Sequence, residues 1–193
     1  ARLSRDNQAK SSDQSRPMAS STSSEEVLRA GVILYRKGNG FEFLMLRRRL
    51  ESADSNQRQL WELPKGSLDE RQDDIRLVAL RNVHQSAGIW PDCFRLHRDF
   101  LRMSTFSEAG KRIKETFYLA EIDSKTRSGD DIDSETLPKP DPLRYAGYQW
   151  MSGDLAKISI RTDEGRLLLG QATDFLESQE QLDTVFSVLA NIK

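Results

Sequence analysis

The chain has 193 residues, near the ~150 typical of one domain, with 29 Lys and Arg against 30 Asp and Glu, one cysteine and 37% apolar residues. A net charge of −1 excludes a whole-protein field that would draw nucleic acid or an acidic membrane, so any such role must rest on a local patch. No apolar run approaches the ~18 residues of a spanning helix, and Cys93 has no second cysteine to pair with; we expect an intracellular protein, mitochondrial or cytoplasmic, with no membrane partner.

Residues 1–27 read as a polar arm. The first 24 hold eight Ser and one Thr, Arg2, Arg5, Lys10 and Arg16 against Asp6 and Asp13, and only Leu3 and Met18 as large apolar residues. Such a segment cannot bury enough surface to offset its ordering entropy, so it is expected to be disordered or bound to a partner. Its Ser- and Arg-rich, acid-poor composition also suits the neighbourhood of a mitochondrial targeting region. A domain then runs over 28–176. Two apolar runs, Val32 to Tyr35 and Phe41 to Leu46, flank Asn39-Gly40 and predict a hairpin. Leu60 to Gly66 is a short apolar piece stopped by Pro64 and Gly66, followed by an acidic loop. Ile75, Ala79, Val83 and Ala87 recur at i, i+4, with Asp73 and Asp74 before them and Gly88 after, which predicts a helix. Phe94 to Met103 is expected to form a strand pair around polar turns. Thr116 to Ile122 is a strand after the basic run 111–114, 123–142 a long loop, and Tyr145 to Met151 an edge strand. Arg161 to Phe175 and Gln179 to Ile192 read as two helices. The second, within 177–193, carries Leu182, Val185, Phe186 and Leu189 on one face and is expected to pack on the domain or on a partner.

The segment Leu60-Trp61-Glu62-Leu63-Pro64-Lys65-Gly66, the acidic loop, Ala79-Leu80-Arg81 and Ala87-Gly88-Ile89 resemble the box of the Nudix hydrolases. That pattern is Gly, five residues, Glu, seven residues, then Arg-Glu-apolar-x-Glu-Glu-x-Gly-apolar. The runs at 29–34, 42–46, 114–121 and 148–150 resemble the diadenosine tetraphosphate hydrolase branch, so the likeness spans about 28–175. It implies an α+β fold, a Nudix-type α/β/α sandwich with a mixed sheet.

The family's reaction needs Mg²⁺ or Mn²⁺ on its phosphates, and hard cations want carboxylates. Aligned on Arg81 and Gly88, the helix Glu positions are Asn82, Gln85 and Ser86. The upstream Glu position falls on Asp73 from the helix side, or on Gln72 counted from Gly66. An amide and a hydroxyl hold a divalent ion far more weakly than carboxylates. The box keeps its architectural residues Pro64, Gly66, Arg81, Val83, Gly88 and Ile89 and loses a charged face expected to have no packing role. We therefore expect no catalytic residue and no metal or other cofactor. Asp73 and Glu115 are the residual acids through which a relocated Mg²⁺ or Mn²⁺ site would have to work. Arg47, Lys65, Arg81, Lys111, Arg112, Lys114 and Tyr118 are the ligand-binding candidates, as Arg forks, Lys charges and a stacking ring. His84 is expected at the helix surface, and His97 shows no partner in the sequence.

Function then divides two ways. The leading expectation is a catalytically impaired Nudix-fold subunit that binds protein subunits of a larger complex, with RNA or a nucleotide as a further ligand, in an RNA-processing or ribonucleoprotein assembly. The alternative is an active dinucleoside polyphosphate or RNA 5′-pyrophosphate hydrolase using relocated acids.

Overall fold

The computed structural model describes residues 26–50, 59–68, 74–122 and 137–190. Asp73, most of the acidic loop, the arm before Glu26 and residues 123–136 lie outside the described residues. β1 (Glu26–Gly38) and β2 (Gly40–Arg48) form the expected hairpin, in register from Tyr35↔Phe43 to Gly38↔Gly40. β5 (Phe94–Glu108) and β6 (Lys111–Ile122) form a second hairpin, and β6 lies parallel to β1 from Glu26↔Arg112 to Tyr35↔Glu121. That parallel pair makes the sheet mixed. β3 (Trp61–Glu62) and β7 (Tyr145–Ser152) pair with β2, and β4 (Lys65–Ser67) pairs with the start of β1.

Both faces of the sheet are buried, which is why its central strands read as continuous apolar runs. Val32, Leu34, Leu44 and Leu46 point to one side and pack with Val78, Ala79, Val83 and Ala87 of α1 (Ile75–Ala87). Ile33, Tyr35, Phe43 and Met45 point to the other and pack with α2 (Gly153–Ser159) and α3 (Asp163–Ala190) through Ala156, Leu169, Ala172 and Leu176. The result is the α+β sandwich that the sequence predicts. Asp74 caps α1 by accepting from the amides of Arg76 and Leu77 at 2.9 and 3.3 Å. Gly88 ends it at φ 69°, and a Cβ there would also strike the Lys139 backbone. Residues after the 123–136 stretch dock on this end, with Lys139 and Asp141 amides donating to Ala87 and Ser86 carbonyls.

Four local expectations change. Arg161 to Phe175 and Gln179 to Ile192 are not two helices, because nothing in Leu176 to Gln179 breaks α3, which runs unbroken for 28 residues. Residues 177–190 of α3 are exposed throughout, so this part does not pack on its own domain. Phe94 to Met103 lies within one long strand whose polar centre appears as a register shift between Leu96 and Leu101. His97, beside that shift, does have a partner: its Nε2 and the Tyr35 hydroxyl share a hydrogen bond at 2.9 Å, and Phe175 of α3 meets it edge-on. Burial lowers the His97 pKa and raises that of the Tyr35 phenol, favouring the neutral form of both rings.

Candidate functional site

The sheet opens where one edge of β1 passes from β4 to β2; the Val32 amide there donates to the Pro64 carbonyl at 3.2 Å. On the α3 side of this opening lies a cavity of about 390 Å³. Arg29, Lys65, Glu108 and Glu115 line one end; Arg48, Arg144 and Arg161 line the other, with Trp61 and Glu62 between β2 and α3.

Of the three helix positions, two face inward. Asn82 and Ser86 are 5% and 0% exposed, whereas Gln85 is on the solvent side. The expectation that this face has no packing role is therefore corrected for Asn82 and Ser86. Asn82 Nδ2 donates to the Ala30 carbonyl at 3.0 Å, and its amide fills the space beside Gly66, where a Cβ would come within 2.7 Å of it. Ser86 Oγ donates back to the Asn82 carbonyl at 2.6 Å. Asn82 thus serves as an internal strut between α1, β1 and β4, while Ser86 turns its hydroxyl back onto the α1 backbone.

Glu115 is 5% exposed and lies on the opposite side of this layer. Alternation along β4 directs Gly66 toward α1 and Lys65 toward α3, and Glu115 follows Lys65: Lys65 Nζ donates to its Oε1 at 2.6 Å and Arg29 Nη1 to the same oxygen at 3.3 Å. Arg29 also holds Glu108 at 2.7 Å. Burial opposes the charge of Arg29, and these two carboxylates more than offset it, so its pKa is raised.

A divalent ion does not fit this donor set. The helix offers an amide and a hydroxyl already used in structural bonds, neither lines the cavity, and Glu115, the β6 carboxylate that does line it, is shared by two cations. Among the described residues no three His, Cys, Asp or Glu side chains converge. Asp73 is outside the described residues.

The ligand-binding candidates do not form one site. Lys65 lines the cavity, and Arg47 sits just outside it in a shallower depression with Arg48 and Arg49. Arg81 is on the outer face of α1. Lys111, Arg112 and Lys114 are at the exposed start of β6, where Arg112 is 3.7 Å from Glu26. Tyr118 packs on the α1 side, opposite the cavity, and burial raises its pKa. His84 is half-buried rather than on the surface, stacked on Trp90 with ring centroids 3.8 Å apart. Sequence reasoning missed Arg29, Glu108, Arg144, Arg161 and Glu164, none of which stands in a recognisable motif.

No protein-family model and no curated protein matches the chain. Solved structures do. A C. elegans Ap4A hydrolase binary complex is 22% identical, with 79% of this chain and 98% of that one covered and a TM-score of 0.64. A MutT protein from Methanosarcina mazei is 15% identical over 79% and 98%, with a TM-score of 0.55. The Nudix domain of Shewanella oneidensis NrtR, complexed with ADP ribose, is 15% identical over 78% and 88%, with a TM-score of 0.55. The chain has the fold of the Nudix hydrolases. No helix among the described residues is long and apolar enough to cross a membrane.

Proposed function

We propose that the protein is a non-hydrolytic Nudix-fold subunit, which binds rather than cleaves, within an RNA-processing or other ribonucleoprotein assembly. The observation that carries this is the strut made by Asn82: its amide occupies the space beside Gly66 and holds the Ala30 carbonyl, at a position where the family pattern has a metal-binding Glu. The fold neighbours named for a dinucleotide hydrolase and for an ADP-ribose complex suggest that a nucleotide-like group suits the cavity. Hydrolysis assays with diadenosine tetraphosphate and triphosphorylated RNA, in Mg²⁺ and in Mn²⁺, test the reading. No turnover is expected; turnover abolished by Asp73→Ala or Glu115→Ala would establish the hydrolase alternative instead.

The free end of α3 supports the scaffolding part. Leu182, Val185, Phe186 and Leu189 follow i, i+3, i+4, i+7 and are 50–65% exposed, the spacing of a helix that lies in a partner's apolar groove. Glu177, Glu180 and Asp183 are the only charged residues over 177–190, so the fitting partner is a protein subunit whose groove has a basic rim. A stoichiometric, ribonuclease-resistant subunit should be lost with Leu182→Asp and Phe186→Asp together; purification as a lone monomer from its own cells would count against it.

A further inference from the structure

We infer that the arginine rim at the end of β2 is a binding surface for single-stranded nucleic acid, gripping its phosphodiester backbone. This rests on the reading of the domain as a binding subunit and says where on it the nucleic acid lies. The fold gathers the rim from distant parts of the chain. The Arg48 amide donates to the Leu60 carbonyl and the Arg49 amide to the Arg144 carbonyl, each at 2.8 Å, while a bridge from Trp61 to Ile160 brings Arg161 alongside.

These cations differ from five other arginines of the molecule. Arg29, Arg36, Arg95, Arg112 and Arg166 each have an Asp or Glu partner. No ion pair joins Arg47, Arg48, Arg49, Arg144 or Arg161 to an acid among the described residues. Two of them, Arg47 and Arg144, are nonetheless held in place. Strands β2 and β7 shift register at Arg47/Arg48, and the carbonyl of Ala146 in that bulge accepts from Arg47 Nη2 at 3.2 Å. Arg47 Nε is buried with no acceptor within the described residues, a donor left open. The Arg144 guanidinium lies 5.2 Å from the Tyr145 ring centroid, and the Tyr145 hydroxyl donates to Glu62 at 2.8 Å, engaging an acid on this side; Glu164 is the other acid there. Guanidiniums held in this way and not tied up in an ion pair suit phosphate, to which they bond bidentately with little ordering cost.

The shape favours a strand over a lone nucleotide. Arg48 borders both the 390 Å³ cavity and a shallow depression lined by Arg47, Arg49, Leu50, Gln59 and Ala146, so positive charge continues outside the cavity. A duplex cannot insert a stacked base pair into such a concavity, whereas one unstacked nucleotide enters it and meets the half-buried Trp61.

Fluorescence anisotropy with the full chain and labelled oligouridylate or oligothymidylate of about 12 nucleotides tests this. Binding should weaken with salt, with a log–log slope of about 0.7 per phosphate contacted and about 2–3 in total. Arg48→Glu with Arg144→Glu should lower affinity at least about tenfold and reduce the slope by about 1–2, while Arg112→Glu with Lys114→Glu changes affinity less than about twofold. Thermal melts of both variants should match the parent, which separates binding from folding. Equal binding of both oligomers assigns recognition to the shared backbone, and RNA alone adds the ribose hydroxyl. The proposal is overturned by absence of salt-dependent binding to either oligomer, by an equal loss in the β6 variant, or by an oligoglutamate that competes as well as the oligonucleotides. Turnover of diadenosine tetraphosphate by the same preparation would refute the non-hydrolytic reading and leave the rim standing; lost binding without turnover would refute the rim alone.

Discussion

The two ends of the cavity handle charge in opposite ways. At the β4 end, Arg29 and Lys65 are answered by Glu108 and Glu115, and behind them Asn82 and Ser86 spend their polar groups on the backbone of β1 and α1. At the β2 end, Arg48, Arg144 and Arg161 are presented without acid partners among the described residues. On the proposed reading, the end where the family pattern concentrates its metal-binding groups serves as structure, and the end open to a ligand is cationic. A group committed to internal bonds is costly to remove and offers little to a ligand; an uncommitted one is the reverse.

Substitutions should divide along that line. The largest effect is expected from Asn82→Glu, which removes the donor to Ala30 and puts a carboxylate into a dry space beside Gly66; urea unfolding should show a loss of about 3 kcal/mol or more. A tolerated Glu that also gained Mn²⁺ affinity would break the comparison. Glu115→Gln leaves two partly buried cations with a neutral acceptor and should cost about 1–3 kcal/mol in the same assay. Asp74→Ala, which uncaps α1 without touching the cavity, should cost about 1 kcal/mol. Arg48→Ala or Arg144→Ala should change stability by less than about 0.5 kcal/mol, and a larger loss would mean that the rim is structural after all. The smallest effect concerns pH. Because burial lowers the His97 pKa, the unfolded chain binds the proton more readily; stability is complete above about pH 6.5 and falls as pH drops below it. His97→Gln should flatten that acid slope in a melting series.

Much of the fold was legible because local chemistry and tertiary demand coincide. Asn39-Gly40 turns the first hairpin, Asp74 and Gly88 bracket α1, and the double-faced apolar runs of β1 and β2 announce a covered sheet. The continuity of α3 was not, since Glu177 to Gln181 interrupts the apolar pattern only because the helix has left its own core there. The candidate site was legible in half. The positions that the family pattern gives to Glu could be counted along the sequence, but that Asn82 is a buried strut and Ser86 is buried while Gln85 faces solvent depends on how α1 meets Gly66 and Ala30. The rim joins residues from the ends of β2 and α2 and from the segment before β7, so no spacing rule reveals it; of its members the sequence singled out Arg47 alone.

On the proposed reading the box region holds no divalent ion. Calorimetric titration of the full chain with Mn²⁺ to the order of 1 mM tests it most directly, since the family's carboxylate sites take this hard cation. The expected result is heat of dilution alone, in the parent and in Glu115→Gln alike. A stoichiometric Mn²⁺ site in the parent that disappears in Glu115→Gln would contradict the account.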